Sequence, residues 1–176
     1  ALFEALNQTF ELDSVEEITI EANPDDLTEK KVKDIKNTPI NRFSIGVQSF
    51  QAKDLEYMNR AHNIHQAYDS IKRVQDAGWE NINVDLIYGT PTLSHEKWQE
   101  NMQTVIDINV PHISAYGLTV EEKTPLNHAI KKGKQLPLDE EKSKVQFEML
   151  MDFIPKNGLE QYEISNFAKK GYEAKH

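Results

Sequence analysis

Four side chains in this sequence have the types and spacing to grip a small molecule bearing several kinds of charge: Glu21, Gln48, Arg60 and Asp85. Glu21 is a natural partner for a cationic amino group, and the guanidinium of Arg60 can clasp a carboxylate with its fork of donors. Asp85 and Gln48 can take up the hydroxyls of a ribose. An amino acid joined to a nucleoside needs all four at once. Taken singly, each has a plainer reading. A strand-end carboxylate is more often a helix cap or an ion-pair partner, and Arg60 can pair with Asp54 or Glu56 on its own short helix.

The elements that must carry these residues favour the shared site. Ile18 and Ile20 alternate with Thr19 and Glu21; Phe43, Ile45 and Val47 with Ser44, Gly46 and Gln48; Ile82, Val84 and Leu86 with Asn83 and Asp85; Ile113 and Ala115 with Ser114 and Tyr116. Alternation with period two is the mark of a strand with one apolar and one polar face. Between the strands lie helical patterns: a helix after Asp25-Asp26 to about Lys36, a short one around 52 to 60, and one from Ile64 to Ala77 stopped by Gly78. A further helix is capped by Ser94, with Trp98, Met102 and Val105 on its apolar stripe. Glu21 to Gln48 is 27 residues, Gln48 to Asp85 is 37 and Asp85 to Tyr116 is 31, each about the length of one βα unit. Strands separated by helices predict a parallel sheet. Its consistently polar register predicts a closed or nearly closed sheet with a ligand-holding interior, the functional groups at the carboxyl ends of the strands. S-adenosylmethionine, with its sulfonium, ammonium, carboxylate and diol, is a molecule such a lumen could hold.

After Thr119 the pattern changes. A short basic helix, 127 to 132, leads to a longer one from Asp139 to about Ile154, and residues 162–167 read as one more strand. Residues 1–10 read as the end of an amphipathic helix with Leu2, Leu6 and Phe10 on one stripe, which suggests that the sequence starts mid-domain. The net charge of −9 argues against nucleic acid as a partner. No apolar run approaches a membrane span and no signal pattern opens the chain, so the cytoplasm is the expected location. There is no cysteine, so thiolate-held metal centres are excluded for these residues.

Several runs follow one another as in one known family: Glu21-Ala22-Asn23-Pro24, Arg42 through Phe50, Arg60-Ala61-His62, Asn83 through Gly89, His112 through Tyr116 and Tyr162 through Phe167. Over nearly its whole length the chain resembles the radical S-adenosylmethionine proteins related to oxygen-independent coproporphyrinogen III oxidase, and its last motif resembles their heme-chaperone branch. The resemblance implies an α/β fold, a partial six-unit (βα) barrel of parallel strands. This chain would supply roughly the last four units, with residues 1–120 the barrel core and 121–176 the start of the region that follows it. It implies that Glu21, Gln48, Arg60 and Asp85 contact S-adenosylmethionine and that Thr119 contacts it through its backbone. In the family a reduced [4Fe–4S] cluster cleaves S-adenosylmethionine to a 5′-deoxyadenosyl radical, and the oxidase converts propionates to vinyl groups. Heme or a porphyrinogen is the implied substrate, and a heme recipient protein the implied partner.

The sequence also departs from the family pattern. The Cys-x3-Cys-x2-Cys loop and the glycine-rich stretch after it, which in the family precede the region matched here, are absent, so this polypeptide is expected to be a fragment inert in radical chemistry. Thr90-Pro91-Thr92-Leu93 and Asn59 differ from the usual Leu-Pro-Gly-Gln-Thr turn and Gly. His176 stands where the chaperone branch begins a heme-binding motif, so the resemblance implies it as a heme ligand. The competing reading is a lyase-type barrel with Glu21 or Asp85 as general base; a Schiff-base lysine would favour it, and the strand ends offer none. His62 and His65, three apart, lack a third ligand and are expected to be exposed loop imidazoles. Trp98 and Met102 read as core, Lys131, Lys132 and Lys134 as a solvated helix end, and Tyr116 as either a substrate contact or a wall of the lumen.

Overall fold

The computed structural model describes residues 2–175. Strands β1 (Thr19–Ala22), β2 (Arg42–Gln48), β3 (Ile82–Tyr88) and β4 (His112–Gly117) pair in parallel in chain order. Helices α2 (Glu29–Ile35), α3 (Ala52–Tyr57), α4 (Ile64–Asp76) and α5 (His95–Asp107) make the crossovers. The apolar strand register (Phe43, Ile45, Val47, Ile82, Val84, Leu86, Ile113) forms one core with Ala67, Ile71 and Val74 of α4 and Trp98, Met102 and Val105 of α5. At about 25 cal/mol per Å² of apolar surface removed from water, this layer is the main force holding the strands flat against the helices.

The helix starts follow local chemistry. Asn63 and Gln66 form a reciprocal capping box at α4, and Ser94 accepts from Lys97 N at α5. Gly78, at φ +81°, ends α4 as expected. The acidic pair Asp25-Asp26 does not open a helix. Pro24–Asp26 make a single 3-10 turn, and α2 begins only at Glu29, where the Thr28 side chain caps Lys31 N. Leu2 and Phe10, the ends of the stripe read at the N-terminus, are 69% and 61% exposed, Leu6 between them is half-buried, and α1 (Leu2–Asn7) fully buries no residue.

Beyond α6 (Pro125–Lys131), α7 (Glu140–Lys156) lays Leu150 and Ile154 into the same core. Residues 162–167 are not one strand. They belong to a hairpin, β5 (Glu160–Glu163) and β6 (Asn166–Ala168), turning at Ile164-Ser165. Ser165 O accepts from Ala115 N at 2.8 Å, and Asn166 Nδ2 donates to Glu163 Oε2 across the turn. Because β6 runs antiparallel to β4, the sheet order is β1-β2-β3-β4-β6-β5. Among the described residues the sheet is open rather than closed, with β1 and β5 as its edges.

Candidate functional site

The polar register meets on one face. Glu21 sits opposite Ser44, Ser44 opposite Asn83, and Asp85 opposite Ser114. At the carboxyl ends of the strands, Glu21, Asn23, Ser44, Gly46, Gln48, Arg60 and Asp85 line a cavity of about 330 Å³. A second cavity of about 350 Å³ shares Glu21, Ser44 and Asp85 with the first and continues past Asn83 to the strand starts, where Thr19, Arg42 and His112 line it. Tyr116, 45% exposed, lines this second cavity. The structure thus brings together four of the residues singled out from the sequence. Thr119 lies two residues beyond β4 and lines neither cavity, and His176 lies outside the described residues.

Arg60 lies three residues past the end of α3 and does not pair with Asp54 or Glu56 on that helix. Its Nη2 donates to Asn23 Oδ1 at 2.6 Å and reaches the carbonyl of Gly46 at 3.4 Å, while its buried Nε has no hydrogen-bond partner. Asp54 is occupied elsewhere. Fully buried, it accepts from Ser49, Thr90 and Thr92 hydroxyls, locking the turn after β2 to the turn after β3. Gln48 ends β2 in the left-handed region at φ +66°, which turns its amide away from the strand's regular alternation. Gly46 leaves room for that amide. A Cβ there would stand 2.9 Å from Gln48 Nε2, 3.5 Å from Arg60 Nη2 and 3.7 Å from Asn23 Oδ1.

Asp85 is the most constrained member. Asn83 Nδ2 donates to its Oδ1 at 2.6 Å, and Ser44 Oγ lies 3.4 Å from both carboxylate oxygens. Burial pushes its pKa up, the Asn83 and Ser44 hydrogen bonds pull it down, and the nearby charge of Glu21 pushes it up again. Neither Asn23, Ser44 nor Asn83 was singled out from the sequence as a site residue. Their polar alternation was the available signal, but only the register shows which carboxylate they serve.

His62 corrects the sequence reading. It is 3% exposed, and its Nε2 lies 2.9 Å from Val47 O, bracing the strand end that carries Gln48. Desolvation lowers its pKa, with the Arg60 charge adding to that and the Val47 carbonyl and Asp25 opposing it. His65 is exposed, and no group of side chains among the described residues could hold a metal ion.

Parallel strands joined by helices, with a carboxylate pair, a guanidinium and an amide converging on one cavity at the strand ends, have the architecture of an open, partial (βα) barrel. Residues 1–105 match the model of the radical SAM superfamily, and the chain belongs to that family. It is 36% identical over 175 residues to the heme chaperone HemW of Lactococcus lactis, covering 99% of this chain and 46% of that protein. To HemW of Bacillus subtilis it is 37% identical over 177 residues, covering 99% and 46%. The chain spans about half the length of these relatives. Among solved structures, coproporphyrinogen III oxidase of Escherichia coli superposes with a TM-score of 0.81 over 96% of this chain and 38% of that one, at 22% identity, a likeness of fold. The radical SAM family uses S-adenosylmethionine and a [4Fe–4S] cluster.

Proposed function

We propose that this chain is the S-adenosylmethionine-holding part of a radical SAM protein of heme metabolism, in the heme-chaperone branch. The observation that carries the reading is the convergence of Glu21, Gln48, Arg60 and Asp85 on one cavity. The cavity also has unmet capacity that a ligand would fill, the buried, unpartnered Nε of Arg60.

In this reading Glu21 takes the ligand's ammonium, Arg60 its carboxylate, and Asp85 with Gln48 its ribose hydroxyls; Thr119 contributes through its backbone. When bound, S-adenosylmethionine supplies one-electron chemistry together with the cluster. The 176 residues contain no cysteine, so the cluster would be held by thiolates outside them. Residues 1–120 would then be the barrel core and 121–176 the beginning of the following region, tied to the core through β6 and α7.

The heme-chaperone assignment rests on the relatives named for that role. It gives heme as cargo, His176 as a ligand to it, a heme recipient protein as partner and the cytoplasm as location. Among the described residues, no helix is long and apolar enough to cross a membrane. The fold of the E. coli oxidase favours a second reading, decarboxylation of coproporphyrinogen III.

Two experiments test these readings. S-adenosylmethionine titration of the cluster-loaded holoprotein should weaken at least ten-fold in Glu21→Gln and Asp85→Asn, the order expected for lost charge-assisted contacts. Undiminished binding in both rejects the site. Heme titration of holoprotein and His176→Ala, run beside an assay for propionate decarboxylation, separates chaperone from oxidase. Product without heme binding favours the oxidase.

A further inference from the structure

The amide of Asn83 is 2% exposed and has every hydrogen-bonding position in use. Nδ2 donates to Asp85 Oδ1 at 2.6 Å and to Ser44 Oγ at 2.7 Å. Oδ1 accepts from Ser114 Oγ at 3.1 Å and from His112 Nδ1 at 2.6 Å. Because a carbonyl oxygen only accepts, His112 carries its hydrogen on Nδ1. The other face of that imidazole is also engaged. Nε2 stands 2.6 Å from the Tyr162 hydroxyl, which in turn accepts the backbone N–H of Ala174 at 3.2 Å. Burial raises the pKa of Tyr162, so the phenol keeps its proton beside the His112 ring.

The direction of this chain is fixed. Turning the Asn83 amide over would set its oxygen 2.6 Å from the Asp85 carboxylate, a repulsion in place of a bond, so the carboxylate sets the amide's orientation and, through it, the tautomer of His112. Three strands and the hairpin thus agree on one orientation of a single buried amide.

We propose that Asn83 is a positioning residue: braced by His112 and Tyr162, it holds Asp85 ionised and in the rotamer that meets a nucleoside's hydroxyls, an inference resting on the S-adenosylmethionine reading above. Asp85 needs such help. It is desolvated and shares its surroundings with the like charge of Glu21 on β1. The other charged or titratable groups lining the two cavities are Arg42 of β2, His112 and Tyr116 of β4, and Arg60 beyond α3. Ser44 contributes only long contacts of 3.4 Å, so the short bond from Asn83 is the principal one opposing protonation.

The test is a double-mutant cycle read by S-adenosylmethionine binding to the holoprotein. Asn83→Ala should weaken affinity roughly ten-fold near neutral pH, the effect of one hydrogen bond to a charged group. It should also move the acid limb of the binding profile upward by about one pH unit. In an Asp85→Asn background the same replacement should change affinity by less than about two-fold, because the group it serves is gone. Tyr162→Phe, whose hydroxyl lines neither cavity, should shift the limb in the same direction by less. Equal weakening by Asn83→Ala in both backgrounds, or an acid limb unmoved by Tyr162→Phe, overturns the positioning role. An Asp85→Asn protein that binds as tightly as the parent overturns the ligand reading instead.

Discussion

Replacing Gly46 by alanine separates ligand binding from folding. The new Cβ would lie 2.9 Å from Gln48 Nε2, a contact that cannot persist. That atom is the far end of a flexible, half-buried side chain, so it can swing away without disturbing the backbone. Alanine within a strand gains about 0.5–1 kcal/mol over glycine from reduced chain entropy. Moving the amide costs on the order of 1 kcal/mol, at the low end for overpacking. The two nearly cancel, so the melting temperature should change by no more than about 4 °C for a chain of this size. Binding has no such compensation. Gln48 loses its position beside Asp85, and one or two hydrogen bonds of about 0.5–1.5 kcal/mol each are forfeited. The expected result is S-adenosylmethionine affinity weaker by about ten-fold in calorimetric titration, with near-native stability in a thermal melt. Affinity within two-fold of the parent in a stably folded variant would refute the claim that Gly46 makes room for a ligand-binding amide.

Other perturbations probe the groups around the cavity. The folded pKa of Asp85 is raised above 3.8, so its contribution to stability is complete below that value and is lost as pH rises through the folded pKa. Asp85→Asn should therefore raise the melting temperature at neutral pH, and the advantage should vanish in acid. His62 is shifted the opposite way, downward from 6.5. The unfolded chain binds the extra proton, so stability falls as pH drops below about 6.5, and urea titrations of His62→Gln should show a flatter dependence on pH there. Asp54→Ala strands the hydroxyls of Ser49, Thr90 and Thr92 without an acceptor and should cost about 3 kcal/mol or more in chemical denaturation. Arg60→Lys retains the charge but loses the Nη2 that reaches Asn23 and Gly46 and the fork left for a carboxylate, and should weaken ligand affinity several-fold with little change in stability.

The latch at Asp54 shows how a plausible local reading can fail. Read along the sequence, Asp54 and Glu56 are local partners for Arg60, but α3 ends at Tyr57 and Arg60 lies beyond it. The folded chain instead gives Asp54 three hydroxyls from two other loops and sends Arg60 back to the end of β1. His62 likewise reads as a surface loop histidine until β2 supplies the carbonyl that buries it. The 162–167 run has the composition of a strand, yet Ser165 is used by Ala115 and the run bends into a hairpin.

Period-two alternation determined, from the sequence alone, that four strands would each have a polar and an apolar face. Helix spacing determined that they would run parallel, and together these put Glu21, Gln48 and Asp85 at one end of one sheet. Those properties are local, set by side-chain periodicity within a few residues, and so can be read along the chain. Which polar groups pair across the strands was decided only in three dimensions. The union of Asn83, His112 and Tyr162 behind Asp85 depends on registers and a hairpin joining residues 29 and 50 positions apart. The physical reason is that hydrogen-bond partners are chosen by where the packed apolar layer leaves each strand, not by their distance along the sequence.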